Sequence, residues 1–281
     1  MAMTFERELV FARSLARRAG EAALRYWEKG VAAEAKEDDS PVTVADRECE
    51  RLICAALEQA FPEDGLLGEE GGDKDARNGR RWIIDPIDGT RDFVRGNRMW
   101  AVMLALEAEG EVVAGVCHLP ALDQTYSAAR GGGAYENERR IRVSGVTEVN
   151  RAVLCLNDFA NLSQCRFAPD LLAWMSRFWA VRNMGGSPDA MLVASGRADA
   201  WIEPYANAWD LAPLKILTEE ACGVFSNLDG GRSIYGGDCF TCTPGLEEEL
   251  RRFVRGAVSG GRHCSITDDV ETIRESDWNF R

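Results

Sequence analysis

At 281 residues, 46% of them hydrophobic, the chain can bury a substantial core as one large domain or two modest ones, which excludes disorder over most of its length. Its 33 Lys and Arg stand against 46 Asp and Glu, a net charge of -13; without a local basic patch, that balance excludes nucleic acid and anionic membrane surfaces as partners. The same acidity opposes a phosphorylated substrate unless cations sit in its site.

The N-terminus carries Glu6, Arg7, Glu8 and Arg13 with no apolar core, so it does not read as a signal peptide. From Phe5 to Lys29, Leu9, Ala12, Ala16, Ala19, Ala23 and Tyr26 recur at three- and four-residue spacing, which predicts one amphipathic helix stopped by Gly30. Lys36 to Pro41 reads as a charged loop. A second helix is predicted over about 45–60 with Cys49, Ile53, Ala56 and Ala60 inward. Strands are predicted at 81–85, 100–107, 112–118 and 124–129, with Glu109 and Gly110 as a hairpin turn, giving an α+β first half. The longest apolar run, Ala101 to Leu106, is too short to span a bilayer. Beyond Val149 the pattern alternates: strands at 152–156, 178–182 and 198–202, and helices at 169–177, 187–195 and 209–222, an α/β arrangement. With no Gly-, Pro- or Ser-rich linker between the halves, two packed subdomains sharing a cleft are expected, 1–145 and 146–262, followed by a polar, irregular tail at 263–281.

Nine cysteines, at 49, 54, 117, 155, 165, 222, 239, 242 and 264, are odd in number and scattered, which fits a reducing cytoplasm. Cys239 and Cys242 form a CxxC, but zinc needs two further ligands and His118 and His263 are the only histidines, so packing is the simpler role.

The stretch Trp82-Ile83-Ile84-Asp85-Pro86-Ile87-Asp88-Gly89-Thr90 carries the most chemistry. An apolar strand delivers two carboxylates into a turn that ends in a hydroxyl, and hard divalent cations take such oxygen ligands, the Ile87 carbonyl included. Two cations roughly 3.5 to 4 Å apart would stabilise the entering and leaving oxygens of an in-line displacement. Gly89 allows backbone N–H groups close to an anion, and a helix starting near Thr90 would add its positive end. Asp-Pro and Asp-Gly also form turns for purely structural reasons. Against that stands the recurrence of acidic segments: Ser40-Pro41-Val42-Thr43-Val44-Ala45-Asp46, Gly68-Glu69-Glu70 and Trp209-Asp210.

On Gly68-Glu69-Glu70, then Asp85-Pro86-Ile87-Asp88-Gly89-Thr90 with Phe93, then Trp209-Asp210-Leu211-Ala212 followed by Glu220-Ala221-Cys222-Gly223, the chain resembles the inositol monophosphatase family over about residues 5–255. The resemblance implies a layered αβαβα sandwich of the inositol monophosphatase and fructose bisphosphatase type. It implies an Mg²⁺-dependent phosphoric monoester hydrolase with two or three ions per site, active as a homodimer. It also implies Glu69, Asp85, Asp88, Asp210 and the Ile87 carbonyl as metal ligands, with Glu69 counted in the catalytic set. Thr90, supported by Asp46, would position and deprotonate the attacking water; Gly89 and Thr90 would hold the phosphate; Glu70 and Lys36 would act from just outside the ligands.

Gly185, Gly186, Ser187 and Glu203, with Asp88, align with the family segments that contact the alcohol of the substrate, although the glycines also suit a turn before a helix. Arg91-Asp92-Phe93-Val94-Arg95-Gly96 is similar to the bacterial histidinol-phosphate phosphatase branch, which carries an acidic residue where this chain has Gly186. That departure places inositol monophosphate or a related polyol phosphate first as substrate and histidinol phosphate second. Fructose 1,6-bisphosphate and nucleotide 3′-phosphates follow, and a catalytically idle homologue that binds metal and phosphate is the alternative outside enzymes.

Overall fold

A computed structural model of the chain describes residues 5–35 and 41–256. Lys36, Ser40 and the segment 263–281 lie outside the described residues. Helix α1 (Glu6–Trp27) buries the stripe read from its spacing, Leu9, Ala12, Ala16, Ala19 and Ala23. The two-residue strands β1 (Glu34–Ala35) and β2 (Pro41–Val42) pair antiparallel ahead of α2 (Val44–Ala60). A capping box opens α2. The Thr43 hydroxyl accepts from the N–H groups of Ala45 and Asp46, while the Asp46 carboxylate accepts from the Thr43 N–H at 2.8 Å.

Strands β3 (Gly65–Gly68), β4 (Arg80–Asp88), β5 (Ala101–Ala108), β6 (Glu111–Leu119), β7 (Gln124–Ala129), β8 (Gly133–Glu136) and β9 (Arg139–Ile141) form one sheet in sequence order. Only β3 runs parallel to its neighbour in it, and the short helix α3 (Thr90–Val94) leaves from the end of β4. A second sheet, ordered β11-β10-β12-β14-β13, contains β10 (Val153–Leu156), β11 (Ala180–Arg182), β12 (Ala200–Glu203), β13 (Val224–Ser226) and β14 (Cys239–Cys242). Helices α4 (Phe159–Leu162), α5 (Leu171–Met175), α6 (Ser187–Ala194), α7 (Ala208–Glu220) and α8 (Glu247–Val254) accompany it.

Period-two alternation along β4 sorts its side chains between layers. Trp82 and Ile84 pack with Leu15, Ile53 and Leu57 of α1 and α2, whereas Ile83 faces the other way, into a cluster with Met191 of α6 and Leu211, Leu214 and Leu217 of α7. That cluster continues into Cys155, Trp201 and Phe225 of the second sheet, whose outer face packs on Trp174 of α5 and Leu250 and Val254 of α8. Helices α6 and α7 are thus shared by both sheets, and the layers run αβαβα. Cys239 and Cys242 fall on opposite sides of β14, one in each cluster, which settles the CxxC as packing. Several spans differ from expectation: α5 is shorter than 169–177, and β3, β8, β9, β13, β14 and α8 were not expected at all.

The middle layer has almost no room on the β6 side. A Cβ on Gly115 would lie 2.5 Å from Ile216 Cγ2 and 3.1 Å from Pro213 Cα of α7. Gly115→Val is expected to push α7 off β6 and cost roughly 1–3 kcal/mol, measured as a lowered midpoint of urea unfolding; an unchanged midpoint would show that α7 is not seated on this strand.

Candidate active site

Residues three apart on a strand face opposite sides, so Asp85 and Asp88 could not meet on a regular β4. The ladder between β4 and β5 is broken there: Asp85 stands opposite Met103 and Asp88 opposite Ala101, three residues on one strand against two on the other. This bulge at Pro86–Ile87 restores parity and turns both carboxylates toward the middle layer, the side on which Met103 and Ala101 are buried. Asp210, in the first turn of α7, completes the group, and ligand oxygens of Asp85, Asp88 and Asp210 all lie within 4.8 Å of one another. The Asn207 N–H donates to Asp210 Oδ2 at 2.6 Å, which fixes that carboxylate at the helix start.

Glu69 follows β3, beside the bulge; its N–H donates to the Ile84 carbonyl at 3.2 Å, and its charge acts on Asp85. The backbone of this corner is held by a residue the sequence reading did not single out. Glu50 of α2 is 4% exposed, and its two oxygens accept from the N–H groups of Glu70 and Gly72, each at 2.8 Å. A Cβ on Gly68 would lie 2.6 Å from Glu50 Oε2, so the corner closes directly on this carboxylate. A signal for it existed: Asp46 and Glu50 sit four apart on the buried face of α2, where an unpaired acid has no business.

Thr90 Oγ1 lies 3.2 Å from the Ile87 carbonyl and 3.4 Å from Asp46 Oδ1. The other Asp46 oxygen is taken by the N–H and hydroxyl of Thr43. Gly89, ahead of Thr90, has φ of 84°, and its Cβ would lie 2.9 Å from the Met99 carbonyl, so the turn needs glycine.

Ser187 donates from both its N–H and its hydroxyl to Asp88 Oδ2. Gly186 has φ of 52°, and a Cβ there would lie 3.2 Å from either Asp88 oxygen. The Gly185–Gly186 turn is pinned by Asp189 of α6, fully buried, which accepts from the N–H groups of Met184 and Gly185. Glu203, at the end of β12, is 5% exposed; Asn157 donates to its Oε2 at 2.8 Å, and its Oε1 is buried without a partner. Asp189 and Asn157 were likewise not foreseen. Lys36 cannot be placed, lying outside the described residues.

Burial, and then the charges of Glu69, Asp88 and Asp210, push Asp85 well above the usual carboxylate range. Burial followed by the charge of Asp88 pushes Asp210 up to about 7. Burial also raises Asp88, Asp46 and Glu203. Among the described residues no Lys or Arg pairs with Asp85, Asp88 or Asp210, and Asp85 Oδ1 is buried without a partner. An all-oxygen set with an orphaned carboxylate oxygen fits a hard divalent cation such as Mg²⁺.

Residues 6–257 match the model of the Inositol monophosphatase family. A histidinol-phosphatase of Chlorobaculum parvum is 38% identical over 232 residues, 82% of this chain and 90% of that protein. An inositol-1-monophosphatase of Mesorhizobium japonicum is 39% identical over 197 residues, 69% of this chain and 74% of that protein. The solved structure of a Thermotoga maritima IMPase superposes with a TM-score of 0.82 at 30% identity, covering 89% of this chain and 97% of that one. Among the described residues no helix is long and apolar enough to cross a membrane.

Two outcomes are expected. Because folding raises these carboxylates, the cation-free folded chain holds protons that the unfolded chain releases. Its stability therefore increases as pH falls from about 7, the value for Asp210, toward the usual carboxylate range, and is lost as pH rises. Thermal midpoints in EDTA should be higher near pH 5.5 than near pH 8, and Mg²⁺ should raise the midpoint more at pH 8; the opposite order would show that the carboxylates do not form one repelling cluster. Glu50→Ala should weaken Mg²⁺ binding by roughly 10- to 100-fold in titration calorimetry, with Glu50→Gln in between; unaltered affinity would separate the corner at 68–72 from the metal ligands.

Proposed function

The chain belongs to the inositol monophosphatase family and is a phosphoric monoester hydrolase, and on that premise we propose that it hydrolyses a small phosphate monoester with Mg²⁺ held by Glu69, Asp85, Asp88, Asp210 and the Ile87 carbonyl. The meeting of Asp85, Asp88 and Asp210 oxygens within 4.8 Å carries this reading. When bound, Mg²⁺ lowers the pKa of a coordinated water and offsets the charge of the phosphate. The chain's own groups then do the rest. Thr90 Oγ1, anchored between the Ile87 carbonyl and Asp46, holds the attacking water and passes its proton toward Asp46 Oδ1. Asp46 suits that task because burial raises its affinity for a proton. The N–H groups of Gly89 and Thr90 face the phosphate, and neither a histidine nor a cysteine nucleophile is called upon.

For the leaving alcohol we favour an amino alcohol, histidinol phosphate, over inositol monophosphate. Glu203 supports this order: its Oε1 is buried without a partner and it stands within reach of the charges of Asp210, Asp158 and Asp88, an acidic wall suited to a substrate ammonium. The absence of an acidic side chain at position 186 does not weigh against it. A side chain there would crowd Asp88, and Glu203 offers the charge instead. The relative named histidinol-phosphatase also aligns over more of the chain than the one named inositol-1-monophosphatase, 82% against 69%.

A panel of histidinol phosphate, inositol 1-phosphate, fructose 1,6-bisphosphate and adenosine 3′,5′-bisphosphate, assayed with and without Mg²⁺, tests both levels. Histidinol phosphate should give the highest kcat/KM, and Glu203→Gln should lower that value by roughly tenfold or more while changing inositol 1-phosphate less. A preference for inositol 1-phosphate would reverse the order, and no Mg²⁺-dependent turnover of any substrate by folded protein would overturn the enzyme reading.

A further inference from the structure

On the outer face of the second sheet, α4, α5 and the loop joining them enclose an open groove of about 670 Å³, lined by Phe159, Leu162, Cys165, Arg166, Leu171 and Leu172 among others. Leu162 and Leu171 are buried core residues, but Phe159 is 52% and Leu172 79% exposed at the rim. Two large apolar side chains at the mouth of one groove call for a cover.

The described chain ends at that rim. Arg166 Nε donates to the carbonyl of Val254, the last residue of α8, at 3.1 Å, and a Cβ on Gly256 would lie 3.8 Å from the Arg166 side chain. Residues 258–281 follow from this point and lie beyond the stretch matched to the family, so they are not needed to build the shared fold. Their composition suits the groove. Trp278 and Phe280 stand two apart in sequence, next to Asp277, the spacing that would bring both to one face if the segment docked extended. Asp268, Asp269, Glu271, Glu275 and Asp277 outnumber Arg262, Arg274 and Arg281, and the groove carries Arg166 in its wall. Reach is no obstacle: ten extended residues span roughly 33 Å, and closing a loop of this length costs little more than closing a short one.

We propose that the chain's own C-terminal segment folds back into the groove between α4 and α5, with Trp278 and Phe280 as apolar anchors and Asp277 beside Arg166. Helix α4 begins directly after Asn157 and Asp158, and Asn157 holds Glu203, so the docked segment braces the wall of the active site from behind.

Hydrogen exchange followed by mass spectrometry on the full chain tests this at both surfaces. In the double variant Trp278→Ala/Phe280→Ala, residues 159–172 should exchange roughly tenfold faster than in the parent. In Leu172→Asp, whose altered side chain is exposed and spares the core, residues 270–281 should lose protection by a similar factor. Exchange over 159–172 that is the same in the double variant and the parent overturns the proposal. Protection of 159–172 that rises with protein concentration and survives the double variant also overturns it, since the occupant is then a second copy of the chain.

Discussion

Buried negative charge is the constraint on which this structure turns. Asp85 is buried and Asp88 and Asp210 stand half-buried beside it, with Glu203 close by, and no basic side chain among the described residues neutralises the three. Such an arrangement survives only if each carboxylate is clamped and a cation is expected. The clamps follow one rule. In Asp46, Asp88, Asp210 and Glu203 one oxygen is spent on a neighbouring donor, from Thr43, Ser187, Asn207 and Asn157 respectively. The carboxylates are thereby oriented without being discharged, which keeps them available to a metal, a water or an amine.

The layered architecture brings the clamps together. Strand β4 and its bulge, the corner after β3 and the start of α2 supply one side of the cluster, all from the first sheet and its helices. The start of α6, the end of β12 and the start of α7 supply the other side. Because α6 and α7 pack against both sheets at once, the two sides are positioned by a single core cluster. Position 115 shows how little slack that layer has: β6 and α7 come so near there that only a glycine fits.

Much of this was legible before any coordinates. The small-residue stripe of α1, the β5–β6 hairpin with Gly110 at φ of 76°, and the carboxylates at 85, 88 and 210 all announce themselves through spacing. The strands at 133–141 and 224–242 did not, because they are short, sit among glycines and take their stability from neighbours far away in sequence rather than from their own pattern. Glu50 and Asp189 escaped because each acts on backbone N–H groups, with only Glu50's place on the buried face of α2 as a hint, and Asn157 because its hydrogen bond to Glu203 crosses 46 residues and leaves no local trace. Glu203 was noticed only through family alignment, since nothing beside Pro204 reveals that its carboxylate is buried.

The bulge in β4 sets stability and activity against each other at a single residue. Pairing residues 86, 87 and 88 one for one with 102, 101 and 100 would let the ladder with β5 run on without interruption, adding regular pairing to an interior strand of the sheet. The same regular register would send Asp88 to the α1–α2 side and dissolve the cluster. A better sheet would then be a dead enzyme, and selection for folding alone would erase the one irregularity that gives this fold its chemistry.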